Sequence, residues 1–314
     1  MTRNLDGNGL QGSIRDTVQL EPPPNVILPG SGVKPSTIVP LKITDWNTRN
    51  LPWRVTSDIT AAACASGLVS PLITIIDRAI IENASNRSTL RASLLSSTIS
   101  LLTRPHLFLT SKPALLISML YFGTYTTANT VDTLSNTVKN KPAETVSSGP
   151  TKFLSTSSVN MSLCLYKDSQ FARMFGPPPG AGGTIQRAIP AASYALFAFR
   201  DSLTIFASFN LPPLIAPVLP ISEEVEKQVS RASIAQFLAP AGIQLFSTPL
   251  HLWGLDLYNR PMGNGVGWKA RASRVGRDWL GSSLARIGRV VPAFGVGGVV
   301  NSSVRRRMIG SIVE

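Results

Sequence analysis

The amino-acid sequence predicts an all-α membrane protein with six transmembrane helices in three tandem two-helix repeats. Three observations carry this expectation. Only 15% of the 314 residues are charged and mean hydropathy is +0.15, whereas a soluble domain is about 25% charged. Gly, Ala, Ser and Thr crowd the apolar runs, the composition of closely packed membrane helices. A short pattern also returns at a nearly fixed interval: PLITIIDR at 71–78, SLCLYKD at 162–168 and PLHLWGLD at 249–256, with starts 91 and 87 residues apart. A period of that length is the mark of a repeated structural unit.

Residues 1–50, rich in Pro, Gly and Asn, read as an irregular leader. Residues 55–76 carry one charge, Asp58, in 22 residues, enough to cross a bilayer core that needs about 20. Residues 79–112 begin polar and then place Leu90, Leu94, Leu95, Ile99 and Leu102 among Arg87, Arg91 and Arg104. That pattern suits an amphipathic helix lying in the interface. A second span follows at 113–131, and a polar linker covers 132–152. The third span, 153–166, has only 14 uncharged residues and rests on its match to the repeat.

After the breaker FGPPPGAGG at 175–183, residues 188–220 are apolar except for Arg200 and Asp201. An acidic segment at 221–231 precedes 24 uncharged residues at 232–255, the strongest span. Residues 256–289 repeat the interfacial pattern, with Trp279, Leu280 and Leu284 among Arg274, Arg277 and Arg286. Residues 290–304 make the sixth span. The units are thus 51–140, a shortened 141–222, and 223–314.

A second landmark recurs in each unit: Lys112 before Pro113, Arg187 before Pro190, and Arg289 before Pro292. Together with Pro71 and Pro249, these prolines are expected to bend or start helices. Windows 77–112, 167–187 and 256–289 hold 15 Lys and Arg against 5 Asp and Glu. The three connectors therefore share the face that stays inside under the positive-inside rule, with both termini opposite.

Several function classes lose support. The net charge of +13 and pI near 10.3 are carried by short connectors between apolar runs, which argues against a nucleic-acid partner. Cys64 and Cys164 lie inside apolar runs, and His106 and His251 stand alone, so no metal, disulfide or cofactor is expected. Gly295-Val296-Gly297-Gly298 has no strand before it, and close helix packing explains it better than phosphate binding. Acidic residues in the leader count against a cleaved presequence. No enzyme motif is present in the sequence.

Three two-helix units with a proline in each odd helix, an interfacial helix after it and Arg-x-x-Pro before the even helices resemble the mitochondrial carrier family over about residues 55–310. The resemblance implies a threefold pseudosymmetric six-helix barrel in a mitochondrial membrane, the inner one being usual. It also implies a multi-pass transporter of a small anionic metabolite by alternating access. That family's odd helices carry Pro, an acid two residues on, and a base three further. Here the proline becomes Ser162 in the middle unit, the acidic positions hold Ile73, Cys164 and His251, and the basic ones hold Ile76, Lys167 and Gly254. With only Lys167 matching, the expected inner ring of salt bridges is nearly absent. A second reading is therefore a divergent carrier-like adaptor or assembly factor with protein partners.

An ionisable side chain within a span is by default a functional candidate. Arg200 and Asp201 are the substrate-binding candidates, Arg200 facing an anionic group; the competing reading ends the fourth helix near Phe199 and leaves both at the interface. Lys167 and Asp168 are candidates for a gate pair. Asp77 with Arg78, and Asp256 with Arg260, are expected to pair with the cations ahead of Pro113, Pro190 and Pro292, namely Lys112, Arg187 and Arg289.

Overall fold

A computed structural model describes residues 46–146, 149–176, 188–226, 229–260 and 265–311. The leader up to residue 45, the breaker from residue 177 on, and Arg187 lie outside the described residues. Every regular element among the described residues is helical.

The first helix, α1 (Leu51–Ala84), runs well past both expected ends and keeps Pro71 inside it. Proline cannot donate to the carbonyl four residues back; here the Ser70 hydroxyl approaches that Gly67 carbonyl at 3.5 Å. At the matching position of α5 (Pro150–Phe175), Ser162 donates its hydroxyl to the Ser158 carbonyl at 2.8 Å. In α10 (Gln244–Asn259), the carbonyl freed by Pro249 is that of Leu245, and it accepts the Trp279 indole N–H at 2.7 Å.

Between these lie α2 (Leu90–Thr103), α3 (Pro105–Leu109), α4 (Lys112–Val138) and α6 (Ala191–Asn210). Thr89 caps α2 by accepting from the Ala92 N–H, and Leu95, Ile99 and Leu102 on that helix are exposed. The expected run to residue 220 stops at Asn210 because Pro212 and Pro213 follow; α7 (Pro212–Ile215) and a short 3₁₀ turn (Ala216–Val218) take its place. After α8 (Glu223–Glu226), the expected single span at 232–255 is two helices, α9 (Arg231–Gly242) and α10, parted at Ile243 just after Pro240 and Gly242.

The chain ends with α11 (Trp268–Gly288), a π-helical segment (Val291–Val296) that contains Pro292, and α12 (Gly297–Gly310). Pro113 and Pro190 start helices rather than bend them. The Tyr125 hydroxyl of α4 donates to the Ala293 carbonyl at 2.7 Å. A Cβ at Gly297 would collide with that same hydroxyl, so the glycine run serves close helix contact.

Among the described residues two segments are long and apolar enough to cross a bilayer, Leu51–Ala84 and Trp268–Gly310. The other expected spans are helical without reaching that length or apolarity, and the threefold six-span barrel is not established by the described helices. The radial pattern is nevertheless that of a protein in lipid. Leu68, Leu72, Leu115, Phe199, Phe206 and Phe246 face outward, while Asp58, Asp77, Lys167, Asp168, Arg200 and Arg286 are buried. Outward apolar surface on this scale is unfavourable in water, and intramembrane charges are tolerated when they face the interior and pair.

The apolar core lies where α1, α4, α5, α6 and α10 converge, around Ile73, Ile80, Ile117, Phe171, Phe197 and Leu255. Ile73 is therefore a core residue. Gly254, the position where a base was sought, is a packing contact: a Cβ there would lie 2.6 Å from the Phe197 ring, and Phe197 is fully buried. Gly254→Val is expected to cost about 1–3 kcal/mol of stability through overpacking. Gly276→Ala, with open space around it on α11, should be neutral or mildly stabilising. Thermal unfolding of the two purified variants tests this; equal melting temperatures would refute it.

Candidate functional site

Among the buried charges are two layers, one toward each end of α1. Asp58 and Asp77 are 19 residues apart on that helix, about 28 Å at 1.5 Å per residue. This matches the roughly 30 Å hydrocarbon thickness of a bilayer.

The larger layer lies at the Asp77 end, beside the basic connectors. Asp77 accepts from Lys167 Nζ through Oδ2 and from Arg289 Nη1 through Oδ1, each at 2.7 Å. Lys167 also pairs with its neighbour Asp168. Asp168 Oδ2 in turn accepts from Arg200 Nη2 at 2.7 Å, and Asp201 Oδ1 accepts from the same nitrogen at 2.6 Å. Arg200 Nη1 lies 2.9 Å from His251 Nδ1. A guanidinium has no acceptor, so that ring nitrogen carries no proton and the imidazole is neutral. One continuous network thus links α1, α5, α6, α10 and the turn after α11. Arg286 lines the same cluster, and its Nε donates to Gln244 Oε1 at 2.9 Å. The space between these side chains does not admit a water-sized sphere, so the layer is shut.

Position along the helices explains why the motif reading underrated this layer. It sought acids at Ile73 and Cys164, but the acids that pair are Asp77 and Asp168. Each is four residues further on, one turn along the same helix face. His251 does stand at a sought position, where it contributes a neutral acceptor.

The second layer lies at the other end. Arg305 Nε pairs with Asp58 Oδ1 at 2.6 Å, the Thr133 hydroxyl donates to Asp58 Oδ2 at 2.6 Å, and Arg305 Nη2 donates to that hydroxyl at 3.0 Å. Arg54 donates to the backbone carbonyls of Asn47 and Thr133, and the Asn129 and Asn301 amides bond to each other at 2.9 Å. This layer ties α1 to α4 and α12.

The remaining expected pairings rearrange. Arg289 does meet Asp77, but Asp256 is held by Arg260, Arg271 and Arg274. Arg78 pairs with Glu82, and Lys112 donates to Gln170. The fourth helix does not end near Phe199: Arg200 and Asp201 are buried mid-helix in α6, because helical residues continue to Asn210. Asp58, Thr133, Arg305, Arg286 and Gln244 were missed by sequence reasoning. Asp58 alone carried a signal, as the one charge in an apolar run.

Asp77→Asn would leave Lys167 without one of the two carboxylates, and Arg289 without the one, that each meets among the described residues, and it is expected to lower stability by about 3 kcal/mol. Arg78→Gln breaks a partly exposed pair and should cost less than about 1 kcal/mol. Denaturation of both variants in detergent checks the ordering, and an equal loss would show that the layer is not a cooperative network.

A family model described as a probable citrulline exporter matches residues 61–309. No curated protein and no solved structure matches the chain. The match overturns the mitochondrial-carrier resemblance, which rested on prolines and Arg-x-x-Pro anchors that shape helices in any membrane bundle and on a signature met at few positions. The mitochondrial address had no other basis.

Proposed function

The chain belongs to the probable citrulline exporter family, and we propose that it exports a small amino-acid-type metabolite across a membrane by alternately opening its two buried polar layers. That family is one of transporters, not enzymes. The observation that carries the mechanism is the chain of charges from Arg289 through Asp77, Lys167, Asp168 and Arg200 to His251, which closes one end across five segments. Its contacts are side-chain contacts, so it can part while every helix stays intact.

On this reading six segments cross the membrane: α1, α4, α5, α6, α9 with α10, and the π segment with α12. The units 51–140, 141–222 and 223–314 each contribute two. Arg200 and Asp201 belong to the latch, and a substrate that competes for their charges opens it. Citrulline is a zwitterion with a neutral ureido side chain, so the anionic metabolite expected from the sequence becomes one that carries a carboxylate and no net charge. Two orphaned polar atoms support a polar ligand there: Arg200 Nε and Asp201 Oδ2 are buried without a hydrogen-bond partner.

Reconstitution into liposomes loaded in turn with citrulline, other amino acids, nucleotides, carboxylates and phosphate tests the reading. Citrulline should leave faster than from protein-free vesicles, and nucleotides and phosphate should not. Folded protein that moves none of the panel would replace the exporter with a non-transporting membrane protein whose charge layers are fixed staples.

A further inference from the structure

The cations of the closed layer are not equivalent. Lys167 has Asp77 and Asp168, Arg200 has Asp168 and Asp201, and Arg289 has Asp77. Arg286 is as deeply buried, at 2% exposure, and among the described residues it has no carboxylate within ion-pair distance. Its one side-chain hydrogen bond runs from Nε to the neutral amide of Gln244. With His251 neutral, the layer holds four cations against three carboxylates, so one positive charge is left over.

An uncompensated charge in a buried site is strongly unfavourable and calls for a counter-ion. The protein supplies none here, yet it does fix the geometry of Arg286. Gln244 Nε2 donates to the Pro240 carbonyl at 2.8 Å, which orients Oε1 toward Arg286 and holds Nε. The two terminal amino groups are thereby left for the bidentate bond that guanidinium makes with a carboxylate.

We propose that Arg286 is the carboxylate receptor of the transported metabolite, positioned by Gln244 and neutralised only when substrate is bound. The proposal rests on the transport reading above and adds the substrate group that is recognised. The substrate carboxylate gives Arg286 the local counter-charge that it lacks, while the substrate ammonium leaves the total charge of the layer unchanged; the carboxylate is therefore required for transport and a cationic amine alone is rejected.

The test uses the full-length protein in liposomes, with citrulline and its carboxamide, in which a neutral amide replaces the acid. Wild type should prefer citrulline. Arg286→Gln should raise KM for citrulline about 10- to 100-fold, the range for loss of a charge-assisted hydrogen bond, and abolish the preference over the carboxamide. Gln244→Glu keeps Arg286 and provides a permanent internal carboxylate; it should fold with equal or greater stability and raise KM similarly. If Arg286 serves only the negative end of the α11 dipole, Gln244→Glu will stabilise the protein and leave KM and selectivity unchanged, which overturns the proposal. Gln244→Glu decides the matter by itself should Arg286→Gln fail to fold. Should wild type transport nothing, the transport reading fails separately, and unfolding temperatures judge the site. A rise with citrulline but not with the carboxamide, absent in Gln244→Glu, supports the receptor; equal responses refute it.

Discussion

The structure depends on the carboxylate of Asp77, whose two oxygens each hold a cation from a distant part of the chain, Lys167 on α5 and Arg289 after α11. Neither cation would be stable at that depth alone, because desolvation of an unpaired charge exceeds what neutral neighbours return. Lys167 passes the dependence on to Asp168, and Asp168 to Arg200. Breaking one link would leave others uncompensated, so on the proposed transport reading the layer opens as a whole. A transporter needs that property at each end of its pathway.

The two ends differ in what opening would cost. At the Asp77 end a chain of ion pairs runs from α1 through α5 to α6 and ends in the Arg200 hydrogen bond to His251 on α10. At the other end one ion pair, Asp58 with Arg305, is supported by the Thr133 hydroxyl and by paired amides, and it joins α1 to α4 and α12 alone. Fewer charges are exposed to rearrangement there. On the proposed reading, the substrate carboxylate pairs with Arg286 at the more heavily charged connector end.

How much of this was legible in the sequence follows from the range of each interaction. Helix-forming runs, connectors and breakers are local, and the chain shows them: Pro212 and Pro213 end α6, and Thr89 caps α2. Helix ends were less legible, since polar stretches such as the first turns of α5 continue a helix only because α4 packs against it. Lys167, Asp168, Arg200 and Asp77 could be flagged as charges near apolar runs, but their partners on other helices lie 32 to 212 residues away. Arg286 was hidden among the arginines of an amphipathic pattern, where a buried one and an exposed one read alike. The family resemblance misled because prolines and Arg-x-x-Pro anchors shape helices without identifying a family, and the buried acids Asp77 and Asp168 stand one helical turn past the positions it tested.

The π segment has a geometric result. Arg289 and Arg305 are 16 residues apart, and at about 100° per residue an unbroken α-helix would turn them about 160° apart, onto opposite sides. A wide turn absorbs roughly one residue of rotation and reduces the divergence to about 60°. One strand of chain can then grip α1 at both Asp77 and Asp58, so the irregular turn at Val291–Val296 sets the phase between the two closures of the molecule.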